Sequence, residues 1–235
     1  MTLTDLARDP RMLRTRLVVI DFEALTPAGR PPEPTEVAAI TLICRPDGTL
    51  EELGRFDSLM CPPADVPITA RDQHTGITVA LLAEARSAAM VMAGLDRHVG
   101  EPAAAAGDTV LLVAHSASTE RSLIHGKREH CPGLAATPLL DTVRLARASL
   151  PGLTEHGLSQ VAGFFGITLP VDRHRALADV ELTIQVLREL IERGPWSTLL
   201  DLERDAYLPP KTPDAPTVEQ IGLFCEVPPG EWTPF

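Results

Sequence analysis

Leu17-Val18-Val19-Ile20-Asp21-Phe22-Glu23 is the stretch on which the reading of this chain turns. Four apolar residues, three of them β-branched, run straight into an Asp-x-Glu pair. An apolar run of this kind reads as a strand buried on both faces. Side chains alternate along a strand, so Asp21 and Glu23 share one face, about 7 Å apart. Two carboxylates so placed repel each other unless a cation sits between them. A solvated strand end explains a lone Asp-x-Glu equally well, so the other acidic residues have to decide.

Outward from this strand, predicted over residues 17–23, the chain alternates short apolar runs with helical patterns. Residues 26–34 are a turn-rich loop that follows the Asp-x-Glu directly and would lie over it. Residues 36–44 and 55–60 read as two further strands, with Pro46-Asp47-Gly48 as the hairpin turn between them. Thr78 is a candidate N-cap for a helix running to about Val99, followed by an Ala/Pro loop over 101–107. Residues 109–114 form a second buried-strand pattern. It leads into His115-Ser116-Ala117-Ser118-Thr119-Glu120, a strand-to-helix turn with Ser116 as the expected cap. Pro138–Thr142 reads as a short strand, and 142–149 and 155–165 as helices. The last strong helix spans 176–193, with Leu177, Val180, Ile184, Leu187 and Ile191 at helical spacing and Gly194-Pro195 to stop it.

Five residues separate His174 from Asp179, which is the wrong interval for one helical face. His174 therefore belongs to the loop before the helix and Asp179 to its first turn. Singly, each acid has an ordinary explanation, since helix N-termini favour negative charge. His115 reads equally well as a satisfied, partly buried histidine.

Composition bounds the remainder. The 235 residues suit one large domain: a polar lead-in over 1–16, a body over 17–205 and a Pro-rich tail over 206–235. Hydrophobic content of 44% supports a sizeable core. A net charge of −11 argues against a broadly basic surface for wrapping duplex nucleic acid. The four cysteines have no Cys-x-x-Cys spacing, so neither a zinc site nor a redox pair is suggested, and a reducing cytoplasm is the expected location. No apolar run is long enough to span a bilayer, so no membrane partner is expected.

Taken together, the motifs resemble the DEDDh family of 3′→5′ exonucleases, which includes ribonuclease T and the proofreading subunits of bacterial replicases. The resemblance covers roughly residues 17–193. It rests on Asp21-Phe22-Glu23, on His74-Thr75-Gly76-Ile77-Thr78 ahead of the first helix, and on His115 to Glu120. Asp141-Thr142 and the His174-x4-Asp179 spacing complete it. The departures fall in one motif, where the family's Asn, Phe and Asp are here Ser116, Thr119 and Glu120.

The resemblance implies a ribonuclease H-like α/β fold, with a mixed five-stranded sheet flanked by helices. It implies Asp21, Glu23, Glu120 and Asp179 as ligands for two Mg²⁺ or Mn²⁺ ions and His174 as general base. Phe22, Ala24, Leu25, His74, His115 and Ser116 would border the terminal nucleotide. The implied activity is metal-dependent trimming of single-stranded DNA or RNA from the 3′ end to nucleoside 5′-monophosphates. Two other readings use the same residues: a phosphodiesterase on a small nucleotide or short oligonucleotide, and a catalytically weak module that binds nucleic-acid ends. Family members often dimerise, which extends the expectation to a homodimer.

Overall fold

The computed structural model describes residues 3–67, 76–171 and 174–212. Its centre is a mixed sheet built from β1 (Thr15–Leu25), β2 (Glu33–Cys44), β3 (Leu50–Cys61), β4 (Arg86–Ser87), β5 (Thr109–Ala114), β6 (Leu139–Asp141) and β7 (Tyr207–Leu208). The strands lie in the order β4-β3-β2-β1-β5-β6-β7. β1, β2 and β3 form an antiparallel meander, while β5 and β6 run parallel to β1. The five expected strands are all present, and the two-residue β4 and β7 extend the sheet at its two edges.

β1 is central because it can be buried on both sides. Leu17 and Val19 pack into one apolar cluster with α8 (Ala176–Arg193), through Val180, Ile184 and Leu187. Val18, Ile20 and Phe22 face the other way, against Val91, Met92 and Leu95 of α3 (Ala88–Ala106). This alternation puts Asp21 and Glu23 on the α8 face of the sheet. α8 has the bounds that its periodicity predicts, and Asp179 falls in its first turn.

The lead-in contributes to the same cluster. Leu3 and Leu6 of α1 (Leu3–Leu6) and the following Met12 are buried in the α8-side core. The residues after α8 do likewise: Trp196 is fully buried, and its indole N–H donates to Asp205 Oδ2 at 2.7 Å. The short α5 (Pro132–Ala135) precedes β6, α7 (Leu158–Phe165) packs against α8, and α9 (Leu199–Ala206) leads into β7, which pairs antiparallel with β6. Residues 213–235 of the tail lie outside the described residues.

The single helix expected over 78–99 is two. α2 (Val79–Glu84) starts under a Thr78 cap, as expected, and stops at Ala85. Arg86 and Ser87 then extend to pair with Met60 and Cys61 of β3, and the Ser87 hydroxyl caps α3. Edge pairing thus overrides helical periodicity across three residues. α3 also runs past Pro102 to Ala106 instead of giving way to a loop at 101. One missing N–H is offset by the alanines that follow, and Gly107 at φ 68° closes the helix with αL geometry.

Candidate active site

Glu23, His174 and Asp179 meet at the C-terminal end of β1. One potential ligand atom from each lies within 4.8 Å of the other two. Three different elements supply them. β1 carries Glu23, the loop before α8 carries His174, and the first turn of α8 carries Asp179. Asp179 is buried, Glu23 half-buried and His174 exposed, so the group spans from core to solvent. Two carboxylate oxygens and an imidazole nitrogen are hard-to-borderline donors suited to a divalent cation.

Asp21 sits on the same strand face, one pleat deeper, opposite Ala38 of β2. A bulge at Thr35 shifts the β1–β2 register just after Glu23, and the Thr35 hydroxyl donates to the Glu23 carbonyl at 3.2 Å. Bulges of this kind re-aim the residues beside them, and Pro34 is tolerated here because the ladder is already broken.

Glu120 lies apart from that trio, in the first turn of α4 (Ser118–Gly126). It is 4% exposed, and its Oε2 has no hydrogen-bond partner among the described residues. Burial pushes its carboxyl up to about 8, and the nearby Asp141 charge adds to the rise while the Glu120 backbone N–H opposes it. Asp141 is itself committed to the fold. Its Oδ1 accepts from the Ser116 N–H at 3.1 Å and from the Val143 N–H at 3.0 Å, capping α6 (Thr142–Ser149).

The other expected contact residues are distributed between core and surface. Phe22 and Leu25 are buried, Phe22 on the sheet face opposite Asp21 and Glu23, and Ala24 packs at the margin of the same cluster. Both ring nitrogens of His115 are tied into the fold, Nδ1 at 2.9 Å from Thr142 Oγ1 and Nε2 at 2.9 Å from the His156 carbonyl oxygen. His74 lies outside the described residues.

Ser116 is not the cap of α4; Ala117 occupies that position, and among the described residues no side chain caps the helix. Ser116 instead holds φ 68°, a left-handed conformation that L-residues other than Asn and Asp rarely adopt. Ser116→Asn is therefore expected to raise stability by about 0.5 kcal/mol and Ser116→Val to lower it by roughly 1–2 kcal/mol. Urea unfolding midpoints measure both, and equal midpoints for all three proteins would contradict the assignment of strain.

One residue at the site has no counterpart in the sequence reading. Glu36 of β2 lies directly opposite Glu23 and is 1% exposed. Its carboxylate accepts three hydrogen bonds from Arg175 and a fourth, at 3.0 Å, from the Ala176 N–H. The signal available was an acid heading an otherwise apolar strand, which a buried partner has to balance. Arg175 is thereby directed to Glu36. Lys127 likewise pairs with Glu33, and the Arg121 guanidinium donates to the Pro209 carbonyl.

Comparison with known proteins places this geometry. The RNase_T family model, described as exonuclease, matches residues 18–187. DNA polymerase III subunit epsilon of Aquifex aeolicus is 28% identical over 204 residues, covering 83% of this chain and 94% of that protein. The PolC-type DNA polymerase III of Oceanobacillus iheyensis is 31% identical over 144 residues. That match takes in 61% of this chain but spans only 9% of the polymerase. Among solved structures, the nuclease domain of 3′hExo, a DEDDh family member bound to rAMP, superposes with a TM-score of 0.64 at 15% identity. It covers 77% of this chain and 93% of that one. E. coli Exonuclease I in complex with a dT13 oligonucleotide gives a TM-score of 0.62 at 17% identity, over 77% of this chain and 42% of that one. At these identities the structures establish the shared fold.

Proposed function

Because the chain belongs to the RNase_T exonuclease family, and is thus a nuclease and a hydrolase, we propose that it trims single-stranded DNA or RNA from the 3′ end and releases nucleoside 5′-monophosphates. The observation that carries this reading is the Glu23–His174–Asp179 cluster at the end of the central strand. Two of the similar structures were solved with rAMP and with a dT13 oligonucleotide, which supports a nucleotide-sized site and a single-stranded substrate.

The donor set fits divalent cations. Glu23 and Asp179, with Asp21 on the same strand face, would hold Mg²⁺ or Mn²⁺, and Glu120, whose buried Oε2 has no hydrogen-bond partner among the described residues, is the candidate ligand for a second ion. When bound, such ions shield the phosphate charge and sharpen an attacking water. The chain's own residues supply the rest. His174, exposed and outside the helix, takes the proton of that water as general base. The 22–25 backbone and the half-buried Ala24 border the place of the terminal nucleotide. With Arg175 and Lys127 engaged on Glu36 and Glu33, the grip on substrate concentrates at the 3′ terminus instead of along a basic track.

Hydrolysis of 5′-labelled single strands of two to about 30 nucleotides, DNA and RNA in parallel with Mg²⁺ or Mn²⁺, tests the proposal. A ladder shortening one nucleotide at a time is the expected result, with kcat/KM rising over the first few nucleotides and then level. Activity confined to the dinucleotide would replace this reading with a small-nucleotide phosphodiesterase. No products with either metal would leave a binding role.

A further inference from the structure

Glu36 and Arg175 form a feature that the catalytic scheme above does not use, and the geometry points to a role for it. We infer that this ion pair is the positioning device for His174. The inference rests on the exonuclease reading of the same site.

Three observations combine. First, His174 itself holds φ 69°, a conformation uncommon outside glycine, so its neighbouring contacts help to maintain it. Second, the residue immediately after it is fastened to the sheet. Arg175 Nε lies 3.0 and 3.1 Å from the two Glu36 carboxylate oxygens and Nη2 lies 2.6 Å from Oε1, a fork-like grip on a fully buried carboxylate. Third, α8 has no side-chain cap of its own among the described residues. Its N-cap is Arg175, and the first helical N–H, that of Ala176, donates to Glu36 Oε2. Glu36 thus caps α8 from the neighbouring strand, and it fixes the loop–helix junction at two consecutive residues.

The placement is specific to the site. Glu36 pairs in register with Glu23, so one β1–β2 rung carries both a member of the cluster and the anchor of the other two. Two like charges directly opposite on one face would destabilise the rung, and Arg175 offsets this. The same face carries Asp57, whose carboxyl is raised by burial and by the Glu36 charge and lowered by Arg175. A cation in this acidic neighbourhood therefore holds the rung together and also sets how far the His174 loop stands from Glu23 and Asp179.

The test is a double-mutant cycle with a spectroscopic arm. Glu36→Gln keeps shape and removes the charge; Arg175→Lys keeps charge and removes the fork. Each is expected to lower kcat by about tenfold or more while KM stays within about twofold. In a His174→Ala background the same changes should have no further effect on kcat, because the base that they position is gone. Histidine-selective ¹⁵N spectra, with His174 assigned by its loss in His174→Ala, should show its signal moved in Glu36→Gln and the other histidines unmoved. Equal losses in both backgrounds, or an unmoved His174 signal, would overturn the inference. Should the wild type hydrolyse nothing, the exonuclease reading fails while the spectra still decide on positioning. If Glu36→Gln does not fold, Arg175→Lys carries both arms.

Discussion

Asp179→Asn is expected to cut the exonuclease rate by about three orders of magnitude or more, a loss of about 4 kcal/mol of transition-state stabilisation. The side chain is buried in the first turn of α8, and one of its oxygens lies within 4.8 Å of donor atoms on Glu23 and His174. The substitution preserves size and removes the charge that a divalent cation needs. Addition of Mn²⁺ should then raise Tm less than in the wild type, since a ligand that binds only the folded state stabilises through its affinity. His174→Ala should cost about 10²–10⁴ in rate by removing general-base help, yet retain most of that Mn²⁺ stabilisation because the carboxylates remain. An Asp179→Asn protein with wild-type rates would exclude the cluster as the catalytic centre.

The second large effect is on stability. Glu120 is 4% exposed, one of its oxygens has no hydrogen-bond partner among the described residues, and burial raises its carboxyl from the ordinary 4.5 to about 8. A group whose folded pKa is raised contributes stability that is complete below its unfolded pKa and lost as the pH climbs through the folded one. For Glu120 that window runs from 4.5 to about 8, and the span corresponds to a loss on the order of 5 kcal/mol in the cation-free protein. Glu120→Gln removes the titration and keeps the shape. Its Tm in EDTA should match the wild type near pH 4 and exceed it by on the order of 10 °C near pH 9. Wild-type and variant curves that stay parallel from pH 4 to pH 9 would show that Glu120 is not held in this way. Divalent cations should narrow the difference at high pH, if Glu120 is a ligand, by stabilising only the ionised carboxyl.

Much of this architecture was legible in the residues. The apolar run ending in Asp21-Phe22-Glu23 carries its own geometry, since strand alternation alone puts both acids on one face. α8 announces itself through Leu177, Val180, Ile184, Leu187 and Ile191, and the five-residue interval correctly leaves His174 outside it. What the sequence hid depends on pairing between elements. The bulge at Thr35 and the rung that joins Glu23 to Glu36 exist only once β1 and β2 are in register. The break at Ala85–Ser87 comes from an edge pairing with β3 that no local pattern encodes. Ser116 reads as a cap because serine often is one; instead it holds φ 68° and its N–H donates to the Asp141 carboxylate. Glu120 keeps the sign of the expected acid, but its depth in the core, which governs its chemistry, follows from how α4 seats against β1.

The most direct measurement is the identity of the first product from a single-stranded oligonucleotide carrying its label in the 3′-terminal nucleotide, with the Asp21→Ala protein in parallel. The label is expected to leave in the first turnover as a nucleoside 5′-monophosphate, with Mg²⁺ or Mn²⁺ present, and Asp21→Ala is expected to release none. Label released first within longer fragments, or release that persists undiminished in Asp21→Ala, would contradict this expectation.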